Sequence, residues 1–278
     1  MSKIRPDWLQ VREGEAPLVV AFPHTGVDLP DDAADGLVSP WLARRDADWW
    51  IDALYDFAGA MGATTVRTAI SRTVIDVNRD PSGASLYPGQ VTTELCPTTT
   101  FDGEPLYRPG RAPDAAEIAR RSADYFIPYH EALAAQLARL QERHPRVVLY
   151  DAHSIRSRVP RLFDGELPQF NIGTYDGKSC DAVLTDAVAE LCTASGRSWV
   201  VNGRFKGGWT TRRYGAPATG VHALQMELAC RGYMIEPPGA PTPETWPTPY
   251  TAEVAAPLRR VLTDILDACL AFAGSSAP

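Results

Sequence analysis

The chain has no excess of positive charge, no apolar run long enough to cross a bilayer and no closely paired cysteines. Its 278 residues carry 27 Lys and Arg against 34 Asp and Glu, a formal charge of −7. Phosphate backbones require cations clustered on one surface, so this balance argues against a general nucleic-acid footprint and favours a small-molecule partner. The opening stretch, MSKIRPDWLQVREGE, lacks the apolar core and cleavage site of a secretory leader, and no later segment nears the roughly 20 apolar residues of a membrane span. The expected setting is therefore the cytosol. The five cysteines are an odd number, widely spaced and without a C-x-x-C pair, which points to reduced, buried thiols rather than a structural zinc site or redox couple. G-x-S-x-G, Walker, G-x-G-x-x-G and H-E-x-x-H signatures are all missing, so serine hydrolase, nucleotide-binding and zincin readings lose ground.

What is present is an alternation of short apolar runs with helical periodicity. Runs at 16–23, 64–68, 73–77, 146–150, 170–174, 198–201 and 221–228 read as buried strands. Helical spacing covers 48–61, 113–143 with a break expected at Pro128, 181–195 and 251–273. The expected fold is one α/β domain over residues 1–278, with a mostly parallel or mixed central sheet flanked by helices. The Pro/Gly-rich stretch 81–109 is long for a loop and reads as an active-site wall.

Polar residues just beyond strand ends mark the place where open α/β sheets build their sites. His24 follows the first run and His153 follows 147–150, so two imidazoles face one sheet edge. Zinc favours such imidazoles plus a carboxylate, with a position left for water. The acid is Asp48, Asp46, Asp28 or Asp151; Asp48 has a slight edge, although Asp46 and Asp48 also suit a helix N-cap. The segment Ser71–Asp80 delivers Asn78 and Arg79, a pair suited to gripping a carboxylate, and Arg72 is placed to stabilise oxyanion charge. In His222–Leu228, alternation puts Gln225 and Glu227 on one side of a strand, where a buried glutamate needs a partner or a task as proton acceptor. Arg204, Lys206, Arg212 and Arg213, among Gly203, Gly207 and Gly208, form a basic loop able to hold an anion; the alternative is a solvated turn. His130 and His144 read as surface or packing residues.

Taken together, Pro23-His24-Thr25-Gly26, Asp46-Ala47-Asp48-Trp49, Ser71–Arg79, Phe101–Leu106, Asp151–Ser157, Asn171–Cys180, Asn202–Gly208 and His222–Leu228 resemble the N-formylglutamate amidohydrolase family, over nearly the whole chain. The resemblance implies an architecture like that of zinc carboxypeptidases and aspartoacylases, and a zinc ion, or another divalent metal, held by two His and one acid. It also implies an Asn-Arg substrate clamp at Asn78-Arg79, an oxyanion arginine at Arg72, a catalytic glutamate at Glu227, and hydrolysis of N-formyl-L-glutamate in histidine breakdown. In those relatives the acid follows the first histidine within H-x-x-E; here Val27 stands at that place. Other N-acyl or formimino acidic amino acids are competing substrates, and a non-catalytic binder of acidic amino acids is the competing class.

Overall fold

Seven strands build one mixed sheet in a computed structural model that describes residues 6–275. Residues 1–5, where the expected absence of a leader begins to be read, lie outside the described residues. The strands are β1 (Leu9–Arg12), β2 (Leu18–Phe22), β3 (Thr64–Thr68), β4 (Val147–Ile155), β5 (Phe170–Gly173), β6 (Trp199–Val201) and β7 (Val221–Ala229), in the order β1-β3-β2-β4-β7-β5-β6. The central β3, β2, β4 and β7 run parallel. At one edge β1 is antiparallel to β3. At the other, β5 opposes β7 and carries β6 parallel to itself.

The two faces of the sheet follow from alternation along each strand. Leu18, Val20, Phe22, Val148, Tyr150, Leu224, Met226 and Leu228 pack under the helices Ala182–Ala194 and Ala252–Gly274. Val19, Ala21, Val147, Leu149, Val221 and Ala223 pack against Tyr129, Leu133, Leu137 and Leu140 of the helix Ile127–Gln141. Each fully buried large aliphatic side chain contributes roughly 1.5–3 kcal/mol. A one-residue slip of β4 or β7 would turn both sets around at once, so register is held firmly. This register carries Asp151 and His153 on the second face of β4, beside Gln225 and Glu227 of β7.

Three expectations change. The span 73–77 is not a strand: Val74 and Arg79 N–H close turns onto Ser71 and Asp76, while the Asp76 carboxylate takes the Asn78 N–H at 2.9 Å. Such local side-chain bonds compete with a ladder. The span 48–61 is a short helix, Ile51–Leu54, and a 3₁₀ turn, Asp56–Met61, entered through Trp50 at φ 65°. Around Pro128 the helix is not cut but widened: Ala115–Arg121 passes through a π turn at Ser122–Phe126 into Ile127–Gln141, with Ile127 N–H reaching back to Ser122 O. A wider turn accommodates the proline ring and its missing donor. All five cysteines are free and buried. Among the described residues no helix is long and apolar enough to cross a membrane.

Candidate active site

At the carboxyl ends of β2 and β4, His24, His153 and Asp48 each offer one ligand atom, and these atoms lie within 4.8 Å of one another. His24 leaves β2 on a buried Pro-His step, and its carbonyl accepts the Asp48 N–H at 2.9 Å. That backbone bond draws a residue 24 positions away into the site. Asp48 Oδ2 takes the Ser154 N–H at 3.2 Å and stands 3.0 Å from His153 Nδ1 and 3.7 Å from His24 Nδ1. Of the other candidate acids, Asp46 turns to the Phe101 N–H at 2.7 Å, Asp28 is exposed, and Asp151 lies behind His153.

Each imidazole has a carboxylate at its far nitrogen. His24 Nε2 lies 2.6 Å from Asp76 Oδ1, and His153 Nε2 lies 3.1 Å from Asp151 Oδ2. A proton on Nε2 leaves Nδ1 as a lone-pair donor facing Asp48, the orientation that outer carboxylates impose on metal-binding histidines. His24 Nδ1 is buried and has no hydrogen-bond partner among the described residues, so its geometry suits a metal ligand better than a satisfied core histidine. For His153, Nε2 also lies 2.9 Å from Asn78 Nδ2, which allows the opposite tautomer with Nδ1–H on Asp48; a cation beside Asp48 selects the first. Two nitrogens and one carboxylate oxygen, all buried, fit a zinc-type donor set.

The charges are strongly coupled. Burial opposes ionisation of Asp48, but hydrogen bonds from His153 and His24 outweigh it and hold the carboxyl well below its usual range. Asp76 is likewise buried yet held well below that range by Arg79, His24 and Arg72. Burial would lower His153, but Asp151 and Asp48 hold the imidazole well above its ordinary value. Glu227 goes the other way: burial pushes it up to about 8, aided by Asp48 and opposed by His153 and Arg72.

A cleft over these groups is lined by His24, His153, Glu227, Arg72, Asn78, Arg79 and Arg204, with Tyr87, Phe101, Gln225 and Gly208 among its walls. Arg72 lies over the Phe101 ring at 4.9 Å, with Nη2 on Asp76 at 2.8 Å and Nη1 3.4 Å from Asp48. Asn78 has both amide ends engaged: Oδ1 accepts the Thr210 N–H at 2.8 Å and Nδ2 donates to Asp151 at 3.2 Å. Arg79 is braced on Thr93 and is 3.6 Å from Asp76. Within the basic loop, Arg204 alone lines the cleft; it donates to the carbonyls of Leu162 and Val91 and pairs with no carboxylate among the described residues. Lys206 pairs with Asp176, Arg212 donates to Gly207 O, and Arg213 lies against Tyr214. His130 is a half-buried brace, with Nε2 2.8 Å from Val77 O, and desolvation pushes it down to about 4. Sequence reasoning gave no role to Asp76, Phe101 or Tyr87. Asp76 was within reach, because an acid two residues before Asn78 in a stretch entering the site marks a partner for a neighbouring cation or imidazole.

A model of the N-formylglutamate amidohydrolase family matches residues 16–234. The chain is 46% identical over 265 residues to a Pseudomonas putida protein named N-formylglutamate deformylase, spanning 95% of this chain and 96% of that one. A Pseudomonas aeruginosa protein of the same name is 45% identical over the same length and coverage. Among solved structures, the fold is similar to N-formylglutamate amidohydrolase from Ralstonia eutropha JMP134, with a TM-score of 0.74 and 27% identity over 95% of this chain and 96% of that one.

Proposed function

Because the chain belongs to the N-formylglutamate amidohydrolase family, we propose that it hydrolyses N-formyl-L-glutamate to formate and L-glutamate with a zinc ion held by His24, His153 and Asp48. One observation carries this reading. Both imidazoles of a buried His-Asp-His donor set, a glutamate whose proton affinity is raised by burial, and an arginine with no acid partner among the described residues line one cleft. A zinc ion so held supplies Lewis acidity and a water that loses its proton near neutral pH.

The chain's own residues do the rest. Glu227 takes the proton of the attacking water and returns it to the amide nitrogen as the C–N bond breaks, so glutamate leaves as a neutral amine. Arg72 stabilises negative charge building on the formyl oxygen; Asp76 and Phe101 hold its guanidinium in place, so little reorganisation is needed. Arg79, at the end of a segment ordered by Asn78, grips one substrate carboxylate. Arg204 takes the second, while Lys206, Arg212 and Arg213 shape the surrounding loop.

The test is formate release from N-formyl-L-glutamate by zinc-supplemented protein, with chelated protein, N-formyl-L-aspartate and N-formimino-L-glutamate alongside. Chelator-sensitive turnover that prefers N-formylglutamate is the expected result. Metal-independent turnover would overturn the zinc assignment. Preference for the formimino compound would reassign the substrate, and binding without turnover would make the chain a receptor for acidic amino acids.

A further inference from the structure

The peptide group joining Gly207 to Gly208 has both polar atoms engaged. Its carbonyl accepts from Tyr87 Oη and from Arg212 Nε, each at 2.9 Å. Its N–H donates to Gln225 Oε1 at 2.7 Å. A backbone N–H can only donate, so this bond fixes which end of the Gln225 amide is oxygen and turns Nε2 towards Glu227 Oε2, 3.2 Å away. Every bond in the series runs from donor to acceptor in one sense, from a guanidinium and a phenol to the Glu227 carboxyl oxygen Oε2. Bonds aligned this way polarise one another in a buried setting. The start of the series is itself held firmly, because the Arg212 guanidinium lies over the Tyr87 ring at 5.0 Å and the Tyr175 ring at 4.7 Å. The glycine pair makes the path possible: Gly207 sits at φ 108°, and a Cβ on Gly208 would fall 2.5 Å from Asn78 Nδ2.

We propose that Tyr87, Arg212 and Gln225 are positioning residues for Glu227, acting through the Gly207–Gly208 peptide to commit Oε2 as an acceptor and leave Oε1 as the oxygen that takes and returns the proton. The inference rests on the reading of Glu227 as the general base. It links three elements: the loop that carries Tyr87, the helix Trp209–Tyr214 and β7. The carboxylate is correctly aimed only when loop and helix are docked on the same peptide, so closing the substrate side of the cleft also prepares the base.

Gln225→Met keeps side-chain length and removes both bonds. It is expected to lower kcat about 10- to 100-fold, the effect of losing one hydrogen bond to a charged group, with KM and zinc affinity nearly unchanged. Tyr87→Phe keeps the ring beneath Arg212 and should lower kcat less, and in the Gln225→Met background it should add nothing, because both act on one path. Additive losses, or effects confined to KM, would overturn the proposal. Amide exchange at Gly208 in chelated, substrate-free protein gives a readout independent of turnover: protection should fall in both variants, while circular dichroism confirms that each is folded. Unchanged Gly208 protection would refute the chain even if the wild type hydrolyses N-formylglutamate. Failure of the wild type to do so, with Gly208 protection lost in both variants, would sink the substrate reading and leave the chain standing.

Discussion

Replacing Asp76 with Asn tests how much of the site depends on a residue that touches neither cleft nor substrate. Asp76 is fully buried and serves three donors: His24 Nε2 at 2.6 Å, the Asn78 N–H at 2.9 Å and Arg72 Nη2 at 2.8 Å. Asparagine keeps the volume and one acceptor, so His24 and the Asn78 amide can still be served. It turns an NH₂ group towards Arg72, which is left with only Asp48 at 3.4 Å. Breaking a buried ion pair from one side costs about 3–5 kcal/mol; with Asp48 retained, a loss of about 2–3 kcal/mol in the chelated protein at pH 7 is expected. Weaker orientation of His24 should reduce zinc affinity about 10- to 100-fold. The folded carboxyl is held well below its ordinary value of 3.8. Its contribution is therefore fully present above that value and is lost as pH falls through the folded one. Urea denaturation of chelated wild type and variant at pH 7 and pH 5 should show the same gap at both, and a competition titration measures the zinc effect. A gap below about 1 kcal/mol, or zinc affinity equal to wild type, would refute the reasoning.

Glu227→Gln should bind zinc as tightly as wild type while losing about 10²- to 10⁴-fold in kcat; a fall in metal affinity instead would make Glu227 a ligand. The same variant reports on burial. Because the folded value of about 8 lies above the ordinary 4.5, the neutral carboxyl stabilises the fold fully below 4.5, and that stabilisation is lost as pH rises through 8, at no more than about 1.4 kcal/mol per pH unit. Urea midpoints of chelated wild type should therefore fall relative to Glu227→Gln between pH 5 and 8, and parallel midpoints would count against it. Zinc binding should release protons near neutral pH, since Asp151 and Asp48 keep His153 protonated above its ordinary range; calorimetry in buffers of different ionisation enthalpy measures this, and buffer-independent heats would contradict it. Arg204→Gln should raise KM for N-formyl-L-glutamate about 10-fold or more and leave kcat/KM for N-formylglycine nearly unchanged, whereas equal losses on both would place Arg204 outside substrate recognition.

Much of the sheet was legible because its buried strands are apolar runs, and the runs at 64–68, 170–174, 198–201 and 221–228 fall on β3, β5, β6 and β7 within one or two residues. The same signal stopped short in β4. The apolar run ends at Tyr150, but the strand continues to Ile155, because Asp151, His153 and Ser154 are buried through hydrogen bonds rather than hydrophobicity. β1 was missed for a related reason: Leu9–Arg12 is a four-residue edge strand, with Leu9 buried and Gln10 and Arg12 exposed. Within the site, the histidines could be found from their places just after apolar runs and Glu227 from alternation along an apolar strand, both properties of local order. Asp48 could only be ranked among several acids, since its place depends on one backbone bond to His24. Which cation of the basic loop enters the cleft depends on how Tyr87, Tyr175 and Asp176 occupy the others, and no spacing rule encodes those contacts.

That single bond between His24 O and Asp48 N has a kinetic meaning. The three donors come from residues 24, 48 and 153, and they meet only after β2 has paired with β4 across nearly half of the chain. Such non-local closure comes late on a folding route, after loop entropy has been overcome. No sequence-local pair of donors exists for an ion to grip in the unfolded chain. Metal should therefore slow unfolding while leaving the refolding rate of chelated protein nearly unchanged, arriving as the last piece rather than as a nucleus.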